Sequence, residues 1–328
     1  MRLPHPLLDS KFFLFTSADE FNRAMGEETS TEEFTEIARI VALGLPPISS
    51  RTALATMFGI NPGIIWSFEK HTRLHYRSFT IPKGKGGGVR AIDAPRVALK
   101  ILQKWLSVHL ERVFTPAPHV FGFVTGRSHV DAAIIHSNSR WIFSADIADY
   151  FQTTPCALVA ESLMELGFAR EAALLLANLT CLDGNLAQGA PSSPVLSNLC
   201  FKFMDVSLSE IATKYGVRMT RYADDIVFSG LGTCPDELEA DVKQLFANGP
   251  WKLSPKKTKL DVLPSRLKVH GLLVHASHVR LTKGYRNKLR AYRHLLAKDK
   301  IRDEDLPSVR GHLHYADFII IKSEVTVP

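Results

Sequence analysis

The chain has 328 residues, 45% hydrophobic and 22% charged, a balance that can bury a sizeable core and excludes a disordered or collagenous protein. No apolar run approaches bilayer-spanning length, and the N-terminal "MRLPHPLLDSKFFLF" lacks the apolar centre of a signal peptide. Net charge is +7, yet residues 251–300 hold 14 Lys and Arg against Asp261 and Asp299, so that stretch carries +12 and the remainder −5. A basic segment on a mildly acidic body points to a polyanion held at one end of the molecule.

In chain order, the first 45 residues read as helical. Ser30 and Glu33 fit a capping box opening "TEEFTEIARIVALG", which Gly44 and Pro46-Pro47 stop. "SRTALATMFGI" and "NPGIIWSFEKHTRLHY" suggest two more helices. "YRSFTIPKGKGGGVRAIDAP" reads as a strand, a glycine-and-lysine loop and a returning strand. "RVALKILQKWLSVHLERVF" is an amphipathic helix, and "RWIFSADIADYF" begins as a buried strand. Helix–turn–helix follows over "ALVAESLMELGFAREAALLLANLTCL", then a long helix over "SPVLSNLCFKFMDVSLSEIATKYG". A hairpin at 219–228 precedes the helical "CPDELEADVKQLFANG" and short strands to about residue 282. The basic helix "KGYRNKLRAYRHLLAKD" and a last helical pair in "LPSVRGHLHYADFIII" close the chain. The pattern is α+β, with antiparallel strands flanked by helices.

Cys156, Cys181, Cys200 and Cys234 form no CxxC pair and read as reduced thiols of a cytoplasmic protein. Among thirteen histidines, His71 and His75 stand at i,i+4, and His270, His275 and His278 cluster. Without Cys partners or an HExxH pattern, they read as surface or nucleic-acid-contacting side chains.

"MTRYADDIVFSG", residues 219–230, sets Asp224 and Asp225 between two strand-like runs. Neighbours on an extended strand face opposite ways, whereas a tight turn lets both acids serve one site. A divalent cation between them would offset their repulsion; an ordinary exposed Asp turn is the alternative on this stretch alone. Asp146, after the apolar Trp141–Phe143, supplies a third carboxylate at a strand end. Side by side, the three could hold two Mg²⁺ about 3.5–4 Å apart, the arrangement of two-metal phosphoryl transfer.

These stretches resemble a reverse transcriptase, most of all the bacterial retron type. "YADD" at 222–225 resembles the palm signature, "ADIADYF" at 145–151 the first palm aspartate motif, and "AQGAPSSPVLSNL" at 187–199 the template-and-nucleotide motif. "IPKGKGGGVRAIDAP" is similar to the fingers hairpin, "HVFGFVTGRS" to the segment before the palm, and "LSPKKTKL" to the motif with a lysine near the departing pyrophosphate. "VHGLLV" resembles the primer-grip hairpin, and the basic helix with "RGHLHYADF" the thumb.

The resemblance implies a right-hand polymerase. A helical extension (1–45) would precede fingers (46–130), a palm with an antiparallel sheet (131–275) and a helical thumb (276–328). Asp146, Asp224 and Asp225 would bind two Mg²⁺, or Mn²⁺ in their place, with the Ile147 carbonyl an extra ligand. Lys83 and Arg90 would contact the dNTP triphosphate, where Arg offers bidentate geometry and Lys a mobile charge. Phe151 would stack under the sugar, with a core aromatic as the alternative; Gln188 and Gly189 would pack on nucleotide and template. Lys257 would neutralise the leaving pyrophosphate, with Lys256 as its rival. Arg286, Arg290 and Arg293, at i, i+4 and i+7, would meet phosphate while Tyr285, Leu289, Tyr292 and Leu296 pack.

Implied partners are a structured non-coding RNA as template and, through a 2′-OH, primer; the DNA product; dNTPs; and a separate effector protein in anti-phage defence, with no membrane. Two departures touch the retron pattern. Asn-Ala-x-x-His becomes Ala132-Ala133-Ile134-Ile135-His136, and Val-Thr-Gly becomes Val269-His270-Gly271. Template-independent DNA synthesis, as in abortive-infection relatives, and a catalytically silent RNA-binding scaffold are the alternative functions.

Overall fold

The computed structural model describes residues 5–27, 29–84 and 88–325. In chain order come α1 (His5–Asp9), α2 (Ala18–Met25), α3 (Thr31–Ala42), α4 (Arg51–Phe58) and α5 (Pro62–Lys70). Strands β1 (Tyr76–Pro82) and β2 (Val89–Pro95) lead to α6 (Val97–Val113), α7 (His129–Ile135) and β3 (Trp141–Asp146). Next are α8 (Cys156–Leu166), α9 (Arg170–Thr180), β4 (Cys181–Leu182), β5 (Asn185–Leu186) and α10 (Ser193–Lys214). Then come β6 (Arg218–Tyr222), β7 (Asp225–Gly230), α11 (Leu238–Leu245), β8 (Lys259–Val262), β9 (Lys268–Val269), β10 (Leu272–Leu273) and β11 (Arg280–Leu281). Helices α12 (Lys283–Ala297) and α13 (Leu306–Val325) end the order. No helix among the described residues is long and apolar enough to cross a membrane.

The chain divides into two compact units, Met1–Pro116 with Asp149–Phe203, and Ala117–Ala148 with Met204–Pro328. In the first, helices carry an antiparallel β1–β2 ribbon in which Phe79 pairs with Ile92 and Ile81 with Arg90. Its core includes Phe13 stacked on Phe58 at 4.1 Å, with Trp105 edge-on to Phe58 at 5.2 Å. The N-terminal segment is tied into this unit: Trp105 Nε1 donates to the Ser10 carbonyl at 2.8 Å, and Arg112 donates to the Asp9 carbonyl at 2.9 Å. Lys85, Gly86 and Gly87, the heart of the expected glycine-and-lysine loop, lie outside the described residues.

The second unit is built on a four-stranded antiparallel sheet of order β6-β7-β3-β8. As a central strand buried on both faces, β3 is continuously apolar from Trp141 to Phe143. Ile142 and Val227 from this sheet share a core with Leu267, Val269, Leu272 and Val274, and with Ile319 of α13. The segment around Val120 bridges β6 in parallel at Arg221, which lends that outer strand a further neighbour.

Three expectations change. The tail is one helix: its buried positions Val309, Ala316, Ile319 and Ser323 keep helical spacing past Gly311, so side-chain packing outweighs the roughly 1 kcal/mol that glycine costs there. Only half the capping box at α3 forms, since Ser30 accepts from the Glu33 amide while the Glu33 carboxylate takes the Ser49 hydroxyl at 2.8 Å. Helix α7 was not anticipated, although Ser128 and Asp131 make both bonds of a capping box at its start.

Candidate active site

The β6–β7 hairpin turns through two residues, Ala223 and Asp224, because Tyr222 pairs directly with Asp225. Ala223 adopts φ +58, a left-handed conformation rare for a residue with a Cβ. Opposite the hairpin's second strand runs β3, and its register sets Asp146 against Asp225. Directly opposed residues of an antiparallel pair hold their Cβ atoms about 4.5–5.5 Å apart. The Asp224 carbonyl accepts the Ile147 amide at 2.9 Å, so the turn and the end of β3 are joined at this corner.

Asp146 is buried, whereas the Asp225 side chain is half exposed. Burial, aided by the charges of Asp224 and Asp225, pushes the Asp146 carboxyl up to about 6, although Lys257 pulls the other way. Burial also disfavours the ionised form of Asp225, but His270 (Nδ1 3.7 Å from its Oδ2), Asp146 and Lys257 together hold it below the usual carboxylate range. The two candidate lysines differ in geometry: Lys257 Nζ lies 2.6 Å from Asp146 Oδ2, and the neighbouring Lys256 makes no such contact. The turn from Ser254 aims Lys257, since the Ser254 amide donates to the Asp146 carbonyl at 2.7 Å and the Ser254 carbonyl accepts the Lys257 amide at 3.1 Å.

The donors here are all hard oxygens, the set that suits a divalent cation. Among the described residues, no three His, Cys, Asp or Glu side chains are already drawn into a cage. The fit rests instead on two facing carboxylates, one of them buried beside like charges that a cation would neutralise. Ile147 adds a backbone oxygen. Its bridge to Leu253 is bonded through its neighbours, Ala148 to Lys252 and Ser254 to Asp146, which leaves the Ile147 carbonyl out of that ladder.

The first unit collects the residues expected at the nucleotide. Alternation along the β1–β2 ribbon puts Arg90 on one face with Phe79, Ile81 and Ile92, and Lys83 directly follows β1, its amide donating to the Gly88 carbonyl at 2.9 Å. Ile92 of that face meets Gly189: a Cβ there would stand 2.8 Å from Ile92 Cγ2 and 3.0 Å from the Asp93 carbonyl. Gly189 also has φ +124, so strand packing and backbone conformation already require glycine, a different reason from close approach to a substrate. The Gln188 carbonyl accepts the Asp93 amide at 2.8 Å, and its side chain takes a bond from Gln152 at 3.1 Å, next to the half-buried Phe151.

In the second unit, Arg286, Arg290 and Arg293 are exposed and rim a groove of about 460 Å³ floored by Leu289 and Ile319. The packing stripe forms in part. Tyr285 bonds His312 at 2.7 Å, Tyr292 lies over the same ring and Leu289 is buried, but Leu296 is 38% exposed.

Residues 81–274 match the family described as reverse transcriptase (RNA-dependent DNA polymerase). The retron Mx65 reverse transcriptase of Myxococcus xanthus is 30% identical over 299 residues, covering 84% of this chain and 69% of that one. The chain belongs to the retron-type reverse transcriptases. The retron Ec86 enzyme of Escherichia coli is 27% identical over 290 residues, 86% of this chain and 88% of its own. With the retron Mx162 enzyme of Myxococcus xanthus, identity is 29% over 274 residues, 73% of this chain but 56% of that one. Two solved structures align weakly and add nothing to the assignment. Telomerase of Candida tropicalis gives a TM-score of 0.44 at 11% identity, over 63% of this chain and 55% of that one. A foamy viral protease-reverse transcriptase gives 0.42 at 16%, over 74% and 36%. Membership makes the chain an RNA-directed DNA polymerase of right-hand α+β fold.

Retron-type membership also frames the two departures. His136 is wholly buried, its Nδ1 2.7 Å from Ser229 Oγ and its Nε2 2.8 Å from Thr220 Oγ1, so it ties β6 and β7 together. His270 is largely buried too, against the Tyr222 ring at 5.1 Å, whereas His275 and His278 are exposed as expected. Sequence reading missed the fully buried Arg221 with its partner Asp205, and Gly122 against the turn. For Arg221 no local signal existed, since Arg218 in the same strand is equally charged and lies at the surface end of it.

Proposed function

We propose that this retron-type enzyme copies a structured non-coding RNA into a small DNA that stays joined to that RNA through a 2′-OH, by two-metal nucleotidyl transfer. The observation that carries the chemistry is the placement of Asp146 opposite Asp225, beside the turn that bears Asp224. Asp146, Asp224, Asp225 and the Ile147 carbonyl would hold two divalent cations, Mg²⁺ or Mn²⁺. When bound, such a pair lowers the pKa of the primer hydroxyl and neutralises charge on the pyrophosphate.

The chain's own groups do the rest. Lys257, already beside Asp146, supplies a positive charge to the departing pyrophosphate. Lys83, just past β1, and Arg90 of β2 clamp the triphosphate; Phe151 carries the sugar; Gln188 and Gly189 border the base pair. Arg286, Arg290 and Arg293 grip the template–product duplex by its phosphates, as a helix read for shape requires. In this reading residues 46–130 serve as fingers, 131–275 as palm and 276–328 as thumb, after the 1–45 extension. The setting is the cytoplasm, and a separate effector protein acts with the enzyme in anti-phage defence.

The test is extraction of nucleic acid from the protein expressed with its native flanking locus. A small DNA that stays with RNA until the RNA is degraded, and is complementary to it, is the expected result. DNA complementary to no co-purifying RNA would refute templated synthesis.

A further inference from the structure

Arg221 takes no part in the roles assigned above, yet its guanidinium is wholly buried one residue before Tyr222. Nε and Nη2 each donate to the buried Asp205 carboxylate at 2.6 Å, a bidentate fork. The third arm, Nη1, donates to the Ala223 carbonyl at 3.0 Å. Ala223 is the residue held at φ +58, a conformation that persists only where surrounding contacts over-determine it. The Arg221 backbone is fixed as well: its amide donates to the His119 carbonyl at 2.9 Å and its carbonyl accepts the Phe121 amide at 2.8 Å.

A buried ion pair is poor value as a stabiliser, because replacing both partners with well-packed apolar side chains is often neutral or favourable. This pair stands directly behind the turn that presents Asp224 and Asp225, and it spends a donor on that turn's backbone. Stability does not explain that expense of charge; placement of the carboxylates does.

We propose that Arg221, clamped by Asp205, is a positioning residue for the chemical step, holding the Ala223 carbonyl and so setting the direction in which the two aspartates leave the turn. The inference rests on the reading that these carboxylates form the catalytic centre. A displacement of about 1 Å in a catalytic group can cost 10²-fold in rate.

The test is Arg221→Met combined with Asp205→Leu, which removes both charges together, assayed on an annealed RNA template and DNA primer. The expected result is a kcat lower by about 100-fold, with the KM for dNTP within about threefold and a Tm at or above that of the unmodified enzyme. Unchanged kcat, or a raised KM at unchanged kcat, overturns the proposal. Should the pair variant fail to fold, Arg221→Lys serves. It keeps a cation beside Asp205 but offers one nitrogen where Arg221 uses three for the carboxylate and the Ala223 carbonyl, and the same direction of loss in kcat at a retained Tm is expected; full kcat overturns the proposal equally. Asp224→Asn, run alongside, separates the two levels. If it stays active, the catalytic reading fails; if it is dead while the pair variant runs at full rate, only the positioning role fails.

Discussion

Asp146 and Asp225 face each other across the β3–β7 ladder, and Lys257 reaches the first of them from a turn 111 residues further along the chain. Burial, reinforced by the charges of Asp224 and Asp225, raises the carboxyl of Asp146 to about 6. Replacing either, or Asp224, with Asn should therefore cost catalysis without costing the fold. Nucleotide incorporation is expected to fall by more than about 100-fold, beyond the loss typical of a group one layer removed from a metal. Tm measured without divalent cations should hold or rise for Asp146→Asn, since its ion pair with the largely exposed Lys257 contributes little.

Lys257 and Lys256 are adjacent, but only the first touches Asp146. Lys257→Ala should lower the single-turnover rate by about 100-fold, the low end for loss of a positioned acid. Lys256→Ala, a surface change, should stay within about a factor of two. Rapid-quench measurement on the same primer–template decides between them, and equal effects would refute the assignment.

Gly122 lies so close to the β6–β7 turn that a Cβ there would stand 2.1 Å from the Ala223 amide nitrogen and 2.7 Å from the Tyr222 carbonyl carbon. Backbone cannot yield as a flexible side chain does, so Gly122→Ala should destabilise by about 3 kcal/mol and displace Asp224 with it. Gly311→Ala is the contrast. Nothing lies within 4 Å of a Cβ in that helix, and the change should stabilise by about 0.5–1 kcal/mol. Urea denaturation of both variants checks the pair.

His136 gives a pH signature. Burial first, then the charge of Arg218 and of His270, depress its pKa to about 3. The folded state therefore keeps the ring neutral while the unfolded chain, near 6.5, takes up a proton. Its stabilising contribution is complete above pH 6.5 and is lost as pH falls towards 3, at up to about 1.4 kcal/mol per pH unit. His109, lowered to about 4 by burial, acts in the same sense, so the informative quantity is a difference. His136→Asn should be less stable at pH 7 but show a flatter decline from pH 6.5 to 4; parallel pH profiles would refute the assignment.

The exposed arginines of α12 should act through phosphate alone. Each of Arg286→Gln, Arg290→Gln and Arg293→Gln is expected to weaken duplex binding regardless of sequence and to reduce the salt dependence, log K against log salt, by about one. Tm should not move. Binding measured at several salt concentrations checks this, and an unchanged slope would count against the phosphate role.

Much of the site was legible because its signals are local. The three acids, the ribbon that bears Lys83 and Arg90, and the arginine stripe of α12 follow from residue type and spacing over a few neighbours. The packing of Ile92 and Asp93 against Gly189 was not legible, since nothing local reveals it. Leu296 matches the packing stripe by period yet stays 38% exposed, because period says which residues share a face and not which of them a neighbour covers.

By itself the sequence determined most of the order of elements, though not α7 or the single final helix, together with the hairpin around Asp224 and Asp225 and the family that these motifs denote. Propensity, turn chemistry and period act between residues close along the chain, and those are written in consecutive letters. Tertiary structure alone decided that Asp146 stands opposite Asp225, that Lys257 rather than Lys256 reaches it, and that Arg221 and Asp205 lie buried behind the turn. Strand register and burial depend on which distant side chains exclude water together, a property of the assembled core and of no single segment.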